Sequence, residues 1–126
     1  VNDNITLSDQ ASSPTNKTFN LARKGTPIAK DTFETLRKTD EFDDTPETIS
    51  SRARVTKDYT ALHNSVQYRK VSKNATTGKR SALTLTLTAD AAIGEFTQAE
   101  VEAAFGYLQS YMAQSGAKAE LAKGIV

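Results

Sequence analysis

The chain has no cysteine. Disulfides, thiolate metal sites and cysteine nucleophiles are excluded with it. There is one histidine, His63. With no cysteine and no carboxylate at ligand spacing, it does not make a metal site, and a lone histidine in an expected turn does not carry a serine–histidine–aspartate set. Glycines stand singly, so no phosphate-cradling loop is present. No apolar run approaches the roughly 18 residues a membrane span needs, and no membrane role is expected. Apolar residues make up 37%, a low share for a globular chain, so a self-sufficient core is lean. The sequence opens on Val1 without a signal-peptide pattern. The expectation is a cytosolic, soluble chain from which an initiator methionine has been removed. Together these gaps point away from an enzyme and away from a bound cofactor.

What is present is charge, unevenly placed. The net charge is only +1 over 126 residues. Residues 1–51 carry six basic and nine acidic side chains, residues 52–80 eight basic against the single acid Asp58, and residues 81–126 two basic against five acidic. A near-neutral total hides one basic middle segment, the asymmetry expected of a chain with a polyanionic partner.

Hydrophobic periodicity divides the chain in two. Ile5-Thr6-Leu7, Thr18-Phe19-Asn20-Leu21 and Thr32-Phe33-Glu34-Thr35-Leu36 alternate like short strands, the third also compatible with helix. Gly25-Thr26-Pro27 reads as the end of the second. Thr39 to Ser50, acidic and holding Pro46, reads as a loop. Ser51–Thr60 places Ala53, Val55 and Tyr59 on one face and Arg52, Arg54, Thr56 and Asp58 on the other. A turn at Leu62-His63-Asn64-Ser65 leads into Val66–Lys73, and Asn74–Gly78 turns again. Ser81–Ala89 alternates most clearly, Leu83, Leu85 and Leu87 against Ala82, Thr84, Thr86 and Thr88. Then the period lengthens. Thr97 and Glu100 form a capping box, and Val101, Ala104, Phe105, Leu108 and Met112 recur at helical spacing. Gly116 reads as a helix stop, and Ala117–Ala122 as a second short helix. Strands followed by helices define an α+β class: one domain over 1–126, with an antiparallel sheet of about six strands in residues 1–90 and two C-terminal helices in 97–123.

A sheet that wide needs one face covered. One helix of roughly 17 residues, about 25 Å long, is marginal cover. An intertwined homodimer, each subunit's helices lying on a joint sheet, meets the need through Val101, Phe105, Leu108 and Met112. A closed monomeric sandwich built from the N-terminal strands is the alternative.

Asp40, Glu41, Asp43, Asp44 and Glu47 lack the spacing and central glycine of an EF-hand. They read as a solvated acidic loop, with a structural cation between subunits as the lesser option. Asn4-Ile5-Thr6, Asn16-Lys17-Thr18 and Asn74-Ala75-Thr76 match glycosylation sequons by chance composition. The informative feature is the basic segment: Arg52, Arg54, Arg69, Lys70, Lys73, Lys79 and Arg80, with Thr56, Gln67, Thr84, Thr86 and Thr88 interleaved. Cations neutralise phosphates while hydroxyls and amides bond to base edges, which suits single-stranded RNA. An ordinary charged face kept for solubility is the plain alternative.

In order and spacing over nearly its whole length, the chain resembles the coat proteins of the small single-stranded RNA bacteriophages. SRARVTKDYT, LHNS and VQYRKVSK resemble that family's central hairpin. SALTLTLTA resembles its last strand, FTQAEVEAAFGYLQSYMAQ its long helix, and AKAELAKGIV its short helix and tail. The resemblance implies a homodimer with a continuous sheet, assembled into a quasi-equivalent icosahedral T=3 shell in the bacterial cytoplasm. One sheet face meets the genomic RNA and the helices interlock on the other. It implies that Arg52, Arg54, Thr56, Gln67, Arg69, Lys73, Thr84, Thr86 and Thr88 face RNA, with Tyr68 in the core. In several family members a dimer also binds an RNA hairpin and represses translation. Two departures limit the carry-over. The Asn74–Lys79 loop, which shapes contacts around the shell's axes in the family, is shorter than in its best-known members, so the implied T=3 geometry carries over less firmly than the fold. The family's base-stacking aromatic on the last strand has no counterpart, so hairpin recognition carries over less firmly than general RNA binding. Readings outside the family are a dimeric β-sheet regulator of RNA or DNA and a secreted adhesion domain.

Overall fold

The computed structural model describes residues 1–40, 44–54, 61–92 and 94–124. They form two compact units, Val1–Ala91 and Ala92–Val126. The first is a six-stranded meander in the order β1-β2-β3-β4-β5-β6: β1 (Ile5–Ser8), β2 (Asn16–Ala29), β3 (Thr32–Lys38), β4 (Thr48–Arg54), β5 (Ala61–Lys73) and β6 (Arg80–Ala92). The second holds α1 (Gln98–Met112) and α2 (Ala117–Ala122). The α+β class and the six-stranded antiparallel sheet followed by two helices are as the sequence predicts.

Several boundaries differ. Gly25-Thr26-Pro27 does not end β2, which runs to Ala29 through register shifts on either side of that tripeptide. Gly25 adopts φ 57°, which favours glycine, and its N–H donates to Thr35 Oγ1 at 3.0 Å. Bulges are where a strand tolerates proline. β3 is a strand, not a helix, because β2 and β4 flank it on both sides. The expected loop over residues 39–50 is shorter, since β4 begins at Thr48. The turn at Leu62-His63-Asn64-Ser65 is absent: these residues lie in β5, with His63 opposite Arg54, Asn64 opposite Ala53 and Ser65 opposite Arg52. Val55–Thr60, expected to complete the preceding strand, lies outside the described residues. Gly116 does not stop the long helix. α1 ends at Met112 with Ala113 as its cap, and Gly116, at φ 84°, opens α2.

The capping box is present. Thr97 Oγ1 accepts from the Glu100 N–H at 3.2 Å, and the Glu100 carboxylate accepts from the Thr97 N–H at 3.5 Å. The 15 residues of α1 span about 22 Å.

Burial is unusual for its chemistry. Among the described residues the only buried apolar side chains are Phe19 and Ala117, whereas Glu34, Arg37, Glu47 and Ser50 are buried polar groups. Leu83, Leu85, Phe105, Leu108 and Met112 stay between 38% and 62% exposed. No residue of α1 is buried. The apolar rows exist in the single chain, but they lack cover.

Candidate nucleic-acid interface

Residues paired across an antiparallel ladder share a face, so the registers sort the side chains. Arg54 lies opposite Thr32 and His63, Arg52 opposite Glu34 and Ser65, Ser50 opposite Leu36 and Gln67, and Thr48 opposite Lys38 and Arg69. Two cross-strand bonds tie β6 to the same face. Gln67 Nε2 donates to Thr86 Oγ1 at 3.2 Å, and His63 Nδ1 lies 2.8 Å from Asp90 Oδ1. These bonds are four residues apart on both strands, as one antiparallel register requires. The two-residue period then adds Thr84 and Thr88 beside Thr86, and Lys73 beside Arg69.

Eight of the nine residues read from sequence as an RNA face (Arg52, Arg54, Gln67, Arg69, Lys73, Thr84, Thr86 and Thr88) therefore share one side of the sheet. Thr56, the ninth, lies outside the described residues. Among the described residues no acid pairs with Arg54, Arg69, Lys73 or Lys38. Lys70, counted with the basic segment, faces the other way, 3.6 Å from Glu47. Arg80 at the edge stands 3.7 Å from Asp44.

Sequence reasoning missed the acid at the centre of this face. Glu34 is 4% exposed. Arg52 Nε donates to its Oε2 at 2.7 Å and Arg23 Nη2 to its Oε1 at 3.0 Å. Two strands thus aim guanidinium groups at one carboxylate on the strand between them. The usable signal was parity: Glu34 alternates with Phe33 and Thr35, so its face was readable once β3 was settled as a strand. A recess of about 250 Å³ on this side is lined by Thr32, Arg52, Arg54, His63, Asn64, Ser65 and Thr88.

The opposite face carries apolar side chains around a few buried polar ones. Ile49 stands beside Tyr68, and a groove of about 570 Å³ lined by Leu7, Phe19, Ile49, Tyr68 and Leu85 runs across it. Glu47, read as part of a solvated acidic loop, is instead buried here. It accepts from Lys17 Nζ at 2.6 Å and from Tyr68 Oη at 2.8 Å. Burial pushes the Glu47 carboxyl up, but those bonds, with the charges of Lys17 and Lys70, outweigh it and hold the group below its ordinary value. Burial, then the bond to Glu47 and its charge, push the Tyr68 phenol up to about 12. On α1, Val101, Phe105, Leu108 and Met112 form one stripe by helical spacing. Among the described residues no three His, Asp or Glu side chains are grouped to hold a metal ion, and no helix is long and apolar enough to cross a membrane.

No family model matches the sequence, and no curated protein matches it. Solved structures do. The virus-like particle of bacteriophage NT-214 superposes with a TM-score of 0.71 at 12% identity, over 95% of this chain and 93% of that one. The virus-like particle of bacteriophage AVE019 gives 0.61 at 9% identity, over 95% and 94%. The virus-like particle of Wenzhou levi-like virus 1 gives 0.55 at 15% identity, over 94% and 96%. From end to end, the meander and the two helices are the fold that this chain shares with these three virus-like-particle proteins.

Proposed function

We propose that the chain is the coat protein of a small RNA phage, a structural rather than catalytic protein that dimerises, closes into an icosahedral shell and packages single-stranded RNA. The observation that carries this reading is the end-to-end fold likeness to proteins whose structures are virus-like particles, at about 95% of both chain lengths.

The distribution of apolar surface supports self-association. Leu83, Leu85, Phe105 and Leu108 are 41–62% exposed, and contiguous exposed apolar rows mark interaction surfaces. A second copy supplies a matching row, the helix stripe against the leucine row. Opposite it, the threonine row and the cations that meet no acid among the described residues suit phosphates and bases, which supports RNA binding on that side of each subunit. Assembly in the bacterial cytoplasm, with the virion as final location, follows from this reading. Repression of translation through an RNA hairpin belongs to the same reading.

Expression of the chain alone in bacteria, with electron microscopy and nuclease treatment of the purified product, tests the proposal. Closed shells holding nuclease-resistant RNA support it. Soluble dimers that bind RNA but never close point instead to a dimeric sheet-type regulator.

A further inference from the structure

We propose that Arg23, Glu34 and Arg52 form a phosphate-binding subsite, in which the buried Glu34 carboxylate orients two arginines and tempers their charge. The inference rests on the RNA-face reading above and joins to Arg52 two residues that lie outside the basic segment of the sequence, Arg23 and Glu34.

A buried carboxylate needs one cation to offset its charge. Glu34 has two, Arg52 at 2.7 Å and Arg23 at 3.0 Å. Its own side chain is 5% exposed, whereas those of Arg23 and Arg52 are 50% and 44% exposed. The cluster therefore holds a surplus of one positive charge, and that surplus lies at the surface.

Geometry agrees. Arg52 is held through Nε, which leaves its two terminal nitrogens unused among the described residues. Arg23 is held through Nη2, which leaves Nη1 and Nε. An arginine fixed by one edge keeps less rotamer freedom to lose when its other edge engages a ligand, and a guanidinium edge matches two phosphate oxygens. β3 lies between the two arginine-bearing strands, so both guanidinium groups meet at the one Glu34 carboxylate. The neighbouring Arg54 lacks an acid partner among the described residues, so the phosphate path continues along β4. The ligand class is the backbone phosphate of a single-stranded nucleic acid, contacted without regard to base.

The test is a salt titration of the purified full-length protein binding a labelled oligouridylate. Removing either arginine leaves the other to neutralise Glu34, so Arg23→Ala and Arg52→Ala each delete the same surplus charge. Each is expected to make the log–log salt slope shallower by about 0.7, one single-strand phosphate contact. Arg52→Lys restores the slope, because charge is kept, but not the full affinity, because the fork is lost. Glu34→Gln releases the tempering charge, tightening binding and steepening the slope. Arg54→Ala and Arg69→Ala are the comparators. If they flatten the slope while Arg23→Ala and Arg52→Ala do not, the subsite is wrong and the RNA face stands. If none of the four changes the slope, the face itself is wrong. Should Glu34→Gln fail to fold, the two arginine variants still decide.

Discussion

Replacing Glu47 tests the polar network buried on the apolar face of the sheet. Glu47 precedes β4, Lys17 is on β2, and Tyr68 and Lys70 are on β5, so one carboxylate ties together three parts of the meander. A hydrogen bond to a charged group contributes about 1.5–3 kcal/mol. The Glu47 side chain is 11% exposed and Lys17 and Lys70 about half exposed, so the lysines count at the value of surface pairs, under about 1 kcal/mol each. Glu47→Ala should therefore cost about 2–3 kcal/mol near neutral pH, and Tyr68→Phe about 1.5 kcal/mol, because the lysines still pair the carboxylate. The double variant should cost less than the sum, since both changes remove the same bond. The pH dependence has two limbs. Glu47 is held below its usual 4.5, so its contribution is present above that value and is lost as pH falls through the folded-state value. Tyr68 is raised from 10.0 to about 12, so its contribution is full below pH 10 and is lost as pH rises through about 12. Chemical denaturation across pH at one fixed protein concentration reads both limbs. Glu47→Gln should flatten the acid limb and shrink the alkaline one. Equal stability of wild type and Glu47→Gln at every pH would refute the account of this network.

Other outcomes follow from the two faces. Thr86→Val should leave the fold intact and weaken RNA binding, while Leu85→Thr should reduce assembly with little effect on any RNA contact; circular dichroism and size-exclusion profiles separate them, and identical behaviour means the face assignment is inverted. Phe105 is 41% exposed in the single chain, so Phe105→Ala should cost only about 1–2 kcal/mol if the chain is a monomer. If a second copy covers it, about 3–5 kcal/mol is expected, with a loss of stability that grows on dilution. Arg54→Ala and Arg69→Ala should weaken binding to unrelated RNAs by similar factors, because phosphate contacts carry little sequence information; a strongly sequence-dependent loss argues that these side chains read bases.

Much of this arrangement was legible in the order of residues. The leucine–threonine alternation of β6 and the Thr97–Glu100 box announce their elements locally, and both appear where expected. The β5 start was not legible. Leu62-His63-Asn64-Ser65 has turn chemistry, but pairing with β4 on one side and the His63–Asp90 contact on the other overrides it. The continuation of β2 past Gly25 was hidden for a similar reason, since bulges absorb residues that would otherwise break a strand. The eight described members of the basic face came out on one side because strand parity depends only on counting. Glu34 escaped because its partners lie on two other strands, 11 and 18 residues away in sequence, and no local pattern encodes such a meeting. The same holds for Glu47, whose acidic neighbours suggested solvent while Lys17 and Tyr68 drew it inward.

If this chain forms a shell, as proposed, its subunits should turn the Arg54–Arg69–Thr86 face toward packaged RNA. Ultraviolet cross-linking of RNA within particles purified from expressing bacteria, followed by mass spectrometry of the attached peptides, tests it most directly. Nucleotide adducts are expected on peptides of β4, β5 and β6, and none on α1. Adducts concentrated on α1, or particles that yield no RNA adduct at all, would contradict it.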